Sequence, residues 1–256
     1  MNDRSIRKTT AAKSFGESAD GYLNSRTHSE GDDLESLASW CDGATRALDI
    51  ATGAGHTAGA LLDTGVPSVI AADASRSMVE TSVASFLGVR GVVADAERLP
   101  FEADAFDAVT CRIAAHHLPD PEAFVREVAR VIRPGGVFAF EDNVAPEDDE
   151  LGSFINRLER MRDPTHVESY RTSAWHEWMA DAGFTVERTE HLMKRIPYAP
   201  WIDRIGSLDT EEKTSVHQHL LCAPNAAVEF FEIEYDGDSV DSFGSLKALI
   251  RAERTG

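Results

Sequence analysis

At 256 residues the chain is long enough for one large α/β domain, or one domain with a modest cap, around a sizeable buried core. Forty-four acidic against 25 basic residues give a formal charge of -19, which repels nucleic acid and anionic membrane and favours a small-molecule or protein substrate. No apolar run approaches membrane-spanning length, Cys41, Cys111 and Cys222 form no CxxC pair, and the basic Met1–Lys8 lacks the apolar core of a secretion signal. These features point away from stable membrane association, a zinc site and a disulfide framework, and place the chain in the cytoplasm. The basic residues are mostly Arg; such a composition fits a high-salt cell or a biased genome equally, and it speaks to solubility rather than chemistry.

In chain order, a polar stretch around Phe15–His28 precedes an amphipathic segment, Asp32–Trp40. From Arg46 to about Glu141, short apolar strands alternate with helices, as a parallel sheet with crossover helices requires. The expected strands are Ala47–Ala51, Ser68–Ala72, Gly91–Ala94, Ala105–Cys111 and Gly136–Glu141, with helices near His56–Thr64, Arg76–Phe86 and Pro121–Ile132. Arg133-Pro-Gly-Gly136 ends the last of these: proline cannot continue a helix, and glycine turns the chain into the next strand. An acidic loop, Pro146–Glu150, leads to helical patterns at Leu151–Arg162 and Ser173–Ala182, a strand near Phe184–Thr189 and two helices within Tyr198–Pro224. Val228–Tyr235 and Leu246–Arg254 read as strands of a terminal hairpin around Asp236-Gly-Asp238. The leading segment thus covers 1–45 and the main domain 46–256, with inserts for an acceptor pocket at about 144–172 and 196–227.

The chemistry is expected at the strand ends. Ala51, Gly53 and Gly55 form a glycine turn after the strand carrying Asp49, and glycine lets a ligand approach the backbone closely. The turn alone suits NAD or S-adenosylmethionine (SAM). Asp49 repels pyrophosphate but suits a cationic amino acid, so it is expected to receive the ammonium of a methionine moiety, directly or through water. Asp73, at the end of the second strand, can accept both ribose hydroxyls, with Ala74, Ser77 and Met78 beside the nucleoside. Asp95 favours SAM: its carboxylate can accept the adenine amino group while the Ala96 N–H donates to a ring nitrogen.

Together Asp49–Gly55, Asp73–Met78, Asp95–Phe101, Phe106–Arg112 and Arg130–Gly136 resemble class I SAM-dependent methyltransferases, in the small-molecule branch similar to ubiquinone/menaquinone-biosynthesis methyltransferases. The resemblance spans roughly residues 14–195. It implies a Rossmann-like α/β fold: a seven-stranded, mostly parallel sheet with an antiparallel last strand, helices on both faces, an N-terminal lid and a helical cap insert. One departure is Ala51, where many members carry the first glycine of the turn. The lid would be Phe15–Tyr22, with Tyr22 over the methionine end and Arg26 and His28 nearby. The implied activity is in-line methyl transfer from SAM to a small organic acceptor by O-, C- or N-methylation, leaving S-adenosylhomocysteine (SAH), in a monomer or homodimer. A SAM-binding enzyme of different outcome, a non-catalytic SAM-binding subunit and an NAD-dependent oxidoreductase remain as alternatives.

Cys111 and Arg112 end the fourth strand, facing the transferable methyl group, and Cys111 is read as packing against the cofactor. Of His116-His117 in the following loop one can act as a base, with His117 also able to contact the cofactor or simply bond a loop carbonyl, and His166 is a second candidate base. Glu141 and Asp142 are expected at the acceptor pocket, with Asp142 a candidate catalytic group. Asp142-Asn143 alone is too incomplete an oxygen shell for magnesium, so no metal is assigned. Arg162, His166, Tyr170 and Arg171 are candidates for acceptor recognition, Trp201 for capping the pocket, and Trp175 and Trp178 for helix core.

Overall fold

The computed structural model describes residues 31–204 and 208–255, so Tyr22, Arg26, His28 and the expected lid lie outside the described residues. A leading helix α1 (Asp32–Ser39) is followed by β1 (Arg46–Ile50), α2 (His56–Asp63), β2 (Ser68–Asp73), α3 (Arg76–Ser85), β3 (Arg90–Val93) and β4 (Phe106–Arg112). A short 3-10 turn, Ala115–His117, then leads into α4 (Pro121–Val131) and β5 (Ile132–Asn143). The remainder is α5 (Asp149–Arg162), α6 (Thr172–Asp181), β6 (Phe184–Pro197), α7 (Tyr198–Arg204), α8 (Thr210–Leu221), α9 (Asn225–Phe230), β7 (Glu234–Asp236) and β8 (Ser239–Arg254).

The strands lie in the order β3-β2-β1-β4-β5-β8-β6, with β7 paired to β8 as an eighth strand off that path. The ladders β1–β2, β2–β3, β1–β4 and β4–β5 are parallel, while the last strand, β8, runs antiparallel to β7. From β1 the chain first builds outward through β2 and β3, then crosses to the other side for β4 and β5. The order therefore reverses between β1 and β4, and such a reversal opens a crevice at the carboxyl ends of the two strands. Register places Asp49 beside Thr110 and Ile50 beside Cys111.

Local chemistry explains the elements that frame this edge. Helix α4 starts where Asp120 accepts the Ala123 N–H at 3.1 Å and Pro121 occupies the first turn. Its Phe124, Val125, Val128 and Val131 are buried at helical spacing, each fully covered apolar side chain contributing about 1.5–3 kcal/mol. In the β4–β5 ladder Phe106 pairs with Ile132 but Ala108 with Val137, so Arg133–Gly136 bulges out of the register. Gly136 is required there: a Cβ would strike Ile132 and the Asp107 and Arg133 carbonyl oxygens. Arg133 in turn donates to Asp107, whose other oxygen accepts from the Thr45 hydroxyl and the Thr45 and Arg46 N–H groups.

The chain falls into two compact units: Met1–Asp142 with His176–Glu190 and Leu249–Gly256, and Asn143–Trp175 with His191–Ala248. Each has its own apolar core, the first built around residues such as Leu37, Leu61, Val69 and Ala139, the second around Phe154, Leu158, Trp201, Val216 and Phe243. No helix among the described residues is long and apolar enough to cross a membrane.

Two expectations are corrected. Val228 belongs to helix α9, not to a strand, because Pro224 opens a helical turn and Ala227 and Phe231 anchor it in the second core. The hairpin is also much tighter than expected: β7 has three residues, and Asp236 pairs directly with Ser239 across Gly237-Asp238, where Gly237 takes φ 60°.

Candidate cofactor site at the carboxyl edge of the sheet

The glycine turn follows β1 directly. Ala51 (φ 52°), Gly53 (φ 53°) and Gly55 (φ 95°) all adopt left-handed backbone, and Gly55 caps α2 without any side-chain bond to the helix. The two glycines do different work. A Cβ built on Gly53 meets nothing within 4 Å, so the outer side of the turn is open; one on Gly55 would collide with Ser82 of α3. Gly53 therefore leaves room for a ligand, while Gly55 lets α2 and α3 close on each other. Ala51 holds a conformation that costs a non-glycine residue on the order of 1–2 kcal/mol.

Asp49 lies behind this turn and is 1% exposed. Its Oδ2 accepts the Thr52 hydroxyl at 2.6 Å and its Oδ1 the Thr110 hydroxyl at 2.7 Å. Burial pushes its carboxyl up to about 6, against the lowering effect of those two hydroxyls and of the Arg112 charge. Both oxygens are thus taken by hydroxyls inside the sheet.

Asp73 ends β2 and ties the next strand to the turn: its Oδ2 accepts the Gly53 N–H at 3.0 Å and its Oδ1 the Ser75 N–H at 2.8 Å. Burial raises this carboxyl, partly offset by backbone donors. Ser75, rather than Asp73, caps α3, its hydroxyl lying 3.0 Å from that of Ser77. Ala74 is exposed, whereas Met78 is 2% exposed and committed to the core, not to a ligand surface.

Asp95 closes a tight turn after β3, accepting the Glu97 N–H at 3.0 Å, while Ala96 is buried beside it. The following loop is pinned to α4. Glu127 accepts the Leu99 N–H, and Arg130 donates to the carbonyl oxygens of Leu99 and Phe101. Glu97 also accepts the Asp120 N–H at 2.9 Å, so one loop is fixed at both its ends.

At the ends of β4 and β5 the charges pair with one another. Arg112 donates to Glu141 at 2.7 Å and to Asp33 of α1 at 2.9 Å, all three side chains being buried. Burial alone would lower the guanidinium, and the two carboxylates more than reverse it. Asp142, fully buried, accepts the His116 N–H at 2.8 Å and lies 2.6 Å from its Nδ1. The His117 ring lies against His116 with centroids 4.1 Å apart and the ring planes tilted by 49°, and it is only partly buried. Between these ties Ile113 adopts φ 53°, an outlier for a β-branched residue, with its N–H bonded to the Glu141 carbonyl at 2.8 Å. Cys111 is fully buried and its thiol is driven well above the ordinary range by burial and nearby carboxylates, which leaves an inert packing group.

Arg112 and Glu141 thus form a buried ion pair, and Asp142 orients His116. Asp33, Thr52 and Thr110 are not singled out by the sequence, because they carry no motif, whereas His116 is marked together with His117. No group of three or more His, Cys, Asp or Glu side chains able to hold a metal occurs among the described residues.

In the second unit, the polar insert holds itself together. Asn156 donates its amide to the Gly152 and Ser169 carbonyls and accepts from the Ser169 N–H at 2.7 Å and from His166 Nε2 at 3.0 Å. Those two donations fix the amide orientation, so His166 Nε2 carries a proton and donates it. Arg162 lies 4.7 Å over the Trp201 ring, Arg171 pairs with Asp149, and the Tyr170 carbonyl accepts the Ala145 N–H. Trp201, 4% exposed and packed edge-on against Phe243, belongs to the second core rather than to a cap. Trp175, 1% exposed, is core as expected.

A family model described as a methyltransferase domain matches residues 48–140. The chain is 36% identical over 244 residues to the uncharacterized methyltransferase YcgJ of Bacillus subtilis, across 92% of this chain and 95% of that protein. The crystal structure of Bacillus subtilis YcgJ superposes with a TM-score of 0.83 at 34% identity, covering 88% of this chain and 98% of that one. The ubiquinone/menaquinone biosynthesis C-methyltransferase UbiE of Desulfotalea psychrophila is 36% identical over 118 residues, 44% of this chain and 47% of that protein.

Proposed function

The chain belongs to the class I methyltransferase family, and from that premise we propose that it transfers a methyl group from SAM to a small organic acceptor. The observation that carries the cofactor assignment is the coupling of Asp73 to Gly53: a carboxylate at the end of β2 holds the turn N–H while the open side of Gly53 leaves space for a ligand. A carboxylate oriented by two backbone donors retains lone pairs for two ribose hydroxyls. We assign the Asp95 carboxylate and the Ala96 N–H to the adenine edge, and Ala51, Gly53, Gly55, Ala74 and Ser77 to the walls around the nucleoside. A small acceptor, not a nucleic acid, is supported by the charge of -19.

Bound there, SAM supplies a methyl group on a sulfonium, the acceptor's electron pair forming the new bond as the carbon–sulfur pair returns to sulfur. The chain's contribution is alignment and exclusion of water. The Arg112 pairs and the Asp142–His116 pair fix the turn after β4, and the His117 ring packs, tilted, against His116. His117 is the group we assign to accept the proton of a hydroxyl or enol acceptor. His166 is not suited to that role through Nε2, which already donates to Asn156.

Isothermal titration with SAM tests the assignment. Asp73→Ala is expected to weaken binding by about 2–3 kcal/mol, on the order of a hundredfold, because charged hydrogen bonds of this kind contribute about 1.5–3 kcal/mol each. Full affinity in that variant, or no binding by the wild type, overturns the assignment.

A further inference from the structure

Asp49 is a buried carboxylate that, among the described residues, receives only neutral hydroxyls. The charged and titratable groups facing it are few. From β4 come Arg112 and Cys111, from β2 Asp73, and from just after α1 Cys41. Burial pushes the Cys41 thiol up to about 12 and also raises the Cys111 thiol well above its ordinary value, so both stay neutral. Arg112 is the one cation of the group, and its hydrogen bonds go to Glu141 and Asp33. Asp73 adds a second negative charge. A carboxylate left in the sheet without a paired cation is costly, and it interacts strongly with any positive charge brought to the crevice.

We propose that Asp49 is the group by which this site distinguishes the sulfonium cofactor from its neutral thioether product, an inference that rests on the function proposed above. SAM and SAH share the adenosine and amino-acid parts and differ by one methyl group and one positive charge. Polar contacts with the shared parts cannot separate them. Contact with the extra methyl is worth about fourfold in affinity and does not depend on pH. The charge is read by Asp49 only while Asp49 is ionised. Transfer removes the charge from sulfur, so the attraction ends with the reaction and the product is held less tightly.

The sign follows from the titration. Asp49 protonates as the pH falls through about 6, and the sulfonium's advantage fades with it. The amino and carboxyl groups of the two ligands titrate alike, so the ratio of their affinities isolates the sulfur charge. At an effective dielectric constant of about 20, one buried charge acting on another across a crevice changes affinity on the order of tenfold.

Titration calorimetry with SAM and with SAH on the full chain, between about pH 5.5 and pH 8, is the test. The SAM-to-SAH affinity ratio is expected to fall about threefold from the upper to the lower pH. Near pH 6, SAM is also expected to release more protons to buffer than SAH, read from buffers of different ionisation enthalpy. Asp49→Asn keeps the side-chain shape and is expected to make the ratio independent of pH; if it fails to fold, the wild-type ratio and proton release still decide. A wild-type ratio that does not change with pH, or a pH dependence that survives in Asp49→Asn, overturns the inference while leaving SAM binding intact. If neither ligand binds at any pH, the inference and the proposed function both fall.

Discussion

The carboxyl edge of the first unit and the insert of the second unit use polar residues in opposite ways. At the edge, Asp49, Asp73 and Asp95 each end or follow a strand and are oriented by a few short-range donors. In the insert, His166, Asn156, Arg162 and Arg171 bond to one another, to backbone carbonyls or to a neighbouring ring and carboxylate. A dense polar segment is therefore no sign of ligand recognition by itself. At Asp73 the position of a carboxylate is fixed by backbone donors beside the open side of Gly53, and the proposed cofactor site rests on that combination.

The largest expected effect tests whether the edge depends on its paired charges. Arg112→Ala strands Asp33 and Glu141 as buried carboxylates and is expected to cost about 3–5 kcal/mol in chemical denaturation; a loss under about 1 kcal/mol would show the network to be dispensable. Next comes Asp49, the carboxylate without such a partner. Its carboxyl titrates near 6 in the folded chain against 3.8 in the ordinary case, so the folded state holds its proton more tightly and loses stability as pH rises between those values. Asp49→Asn is therefore expected to stabilise the ligand-free protein by up to about 3 kcal/mol at neutral pH and by little near pH 4, measured as thermal or urea unfolding against pH.

The insert supplies a smaller effect. Asn156→Ala removes the centre of a buried network and should destabilise by about 2 kcal/mol, with SAM affinity by calorimetry unchanged. A large loss of affinity in a normally folded variant would mean that the insert does more than hold itself together. Smallest is Ala51→Gly. Relief of the left-handed strain is partly offset by the extra freedom of glycine in the unfolded chain, so the gain is expected to stay below about 1 kcal/mol in the same unfolding measurements.

Much of the first unit was legible because its signals are local. Alternating apolar runs gave the strands, and Asp120-Pro121 and Arg133–Gly136 marked the two ends of α4. The positions of Asp49, Asp73 and Asp95 followed from those boundaries. Their partners did not, since Thr110 lies 61 residues from Asp49 and Asp33 lies 79 from Arg112. In the second unit Val228 read as a strand residue, and burial of Ala227 and Phe231 against distant helices made it helical.

In the first unit the sequence by itself determined the order of strands and helices, the placement of three carboxylates at or near strand ends and the need for a glycine turn, because backbone sterics and apolar periodicity act over a few residues. Tertiary structure alone decided which charges are neutralised. Among the described residues Arg112 finds Asp33 and Glu141, Asp142 finds His116, and Asp49 finds only hydroxyls. That outcome depends on which strands become neighbours and how completely water is removed between them, and neither is a property of any short stretch of chain.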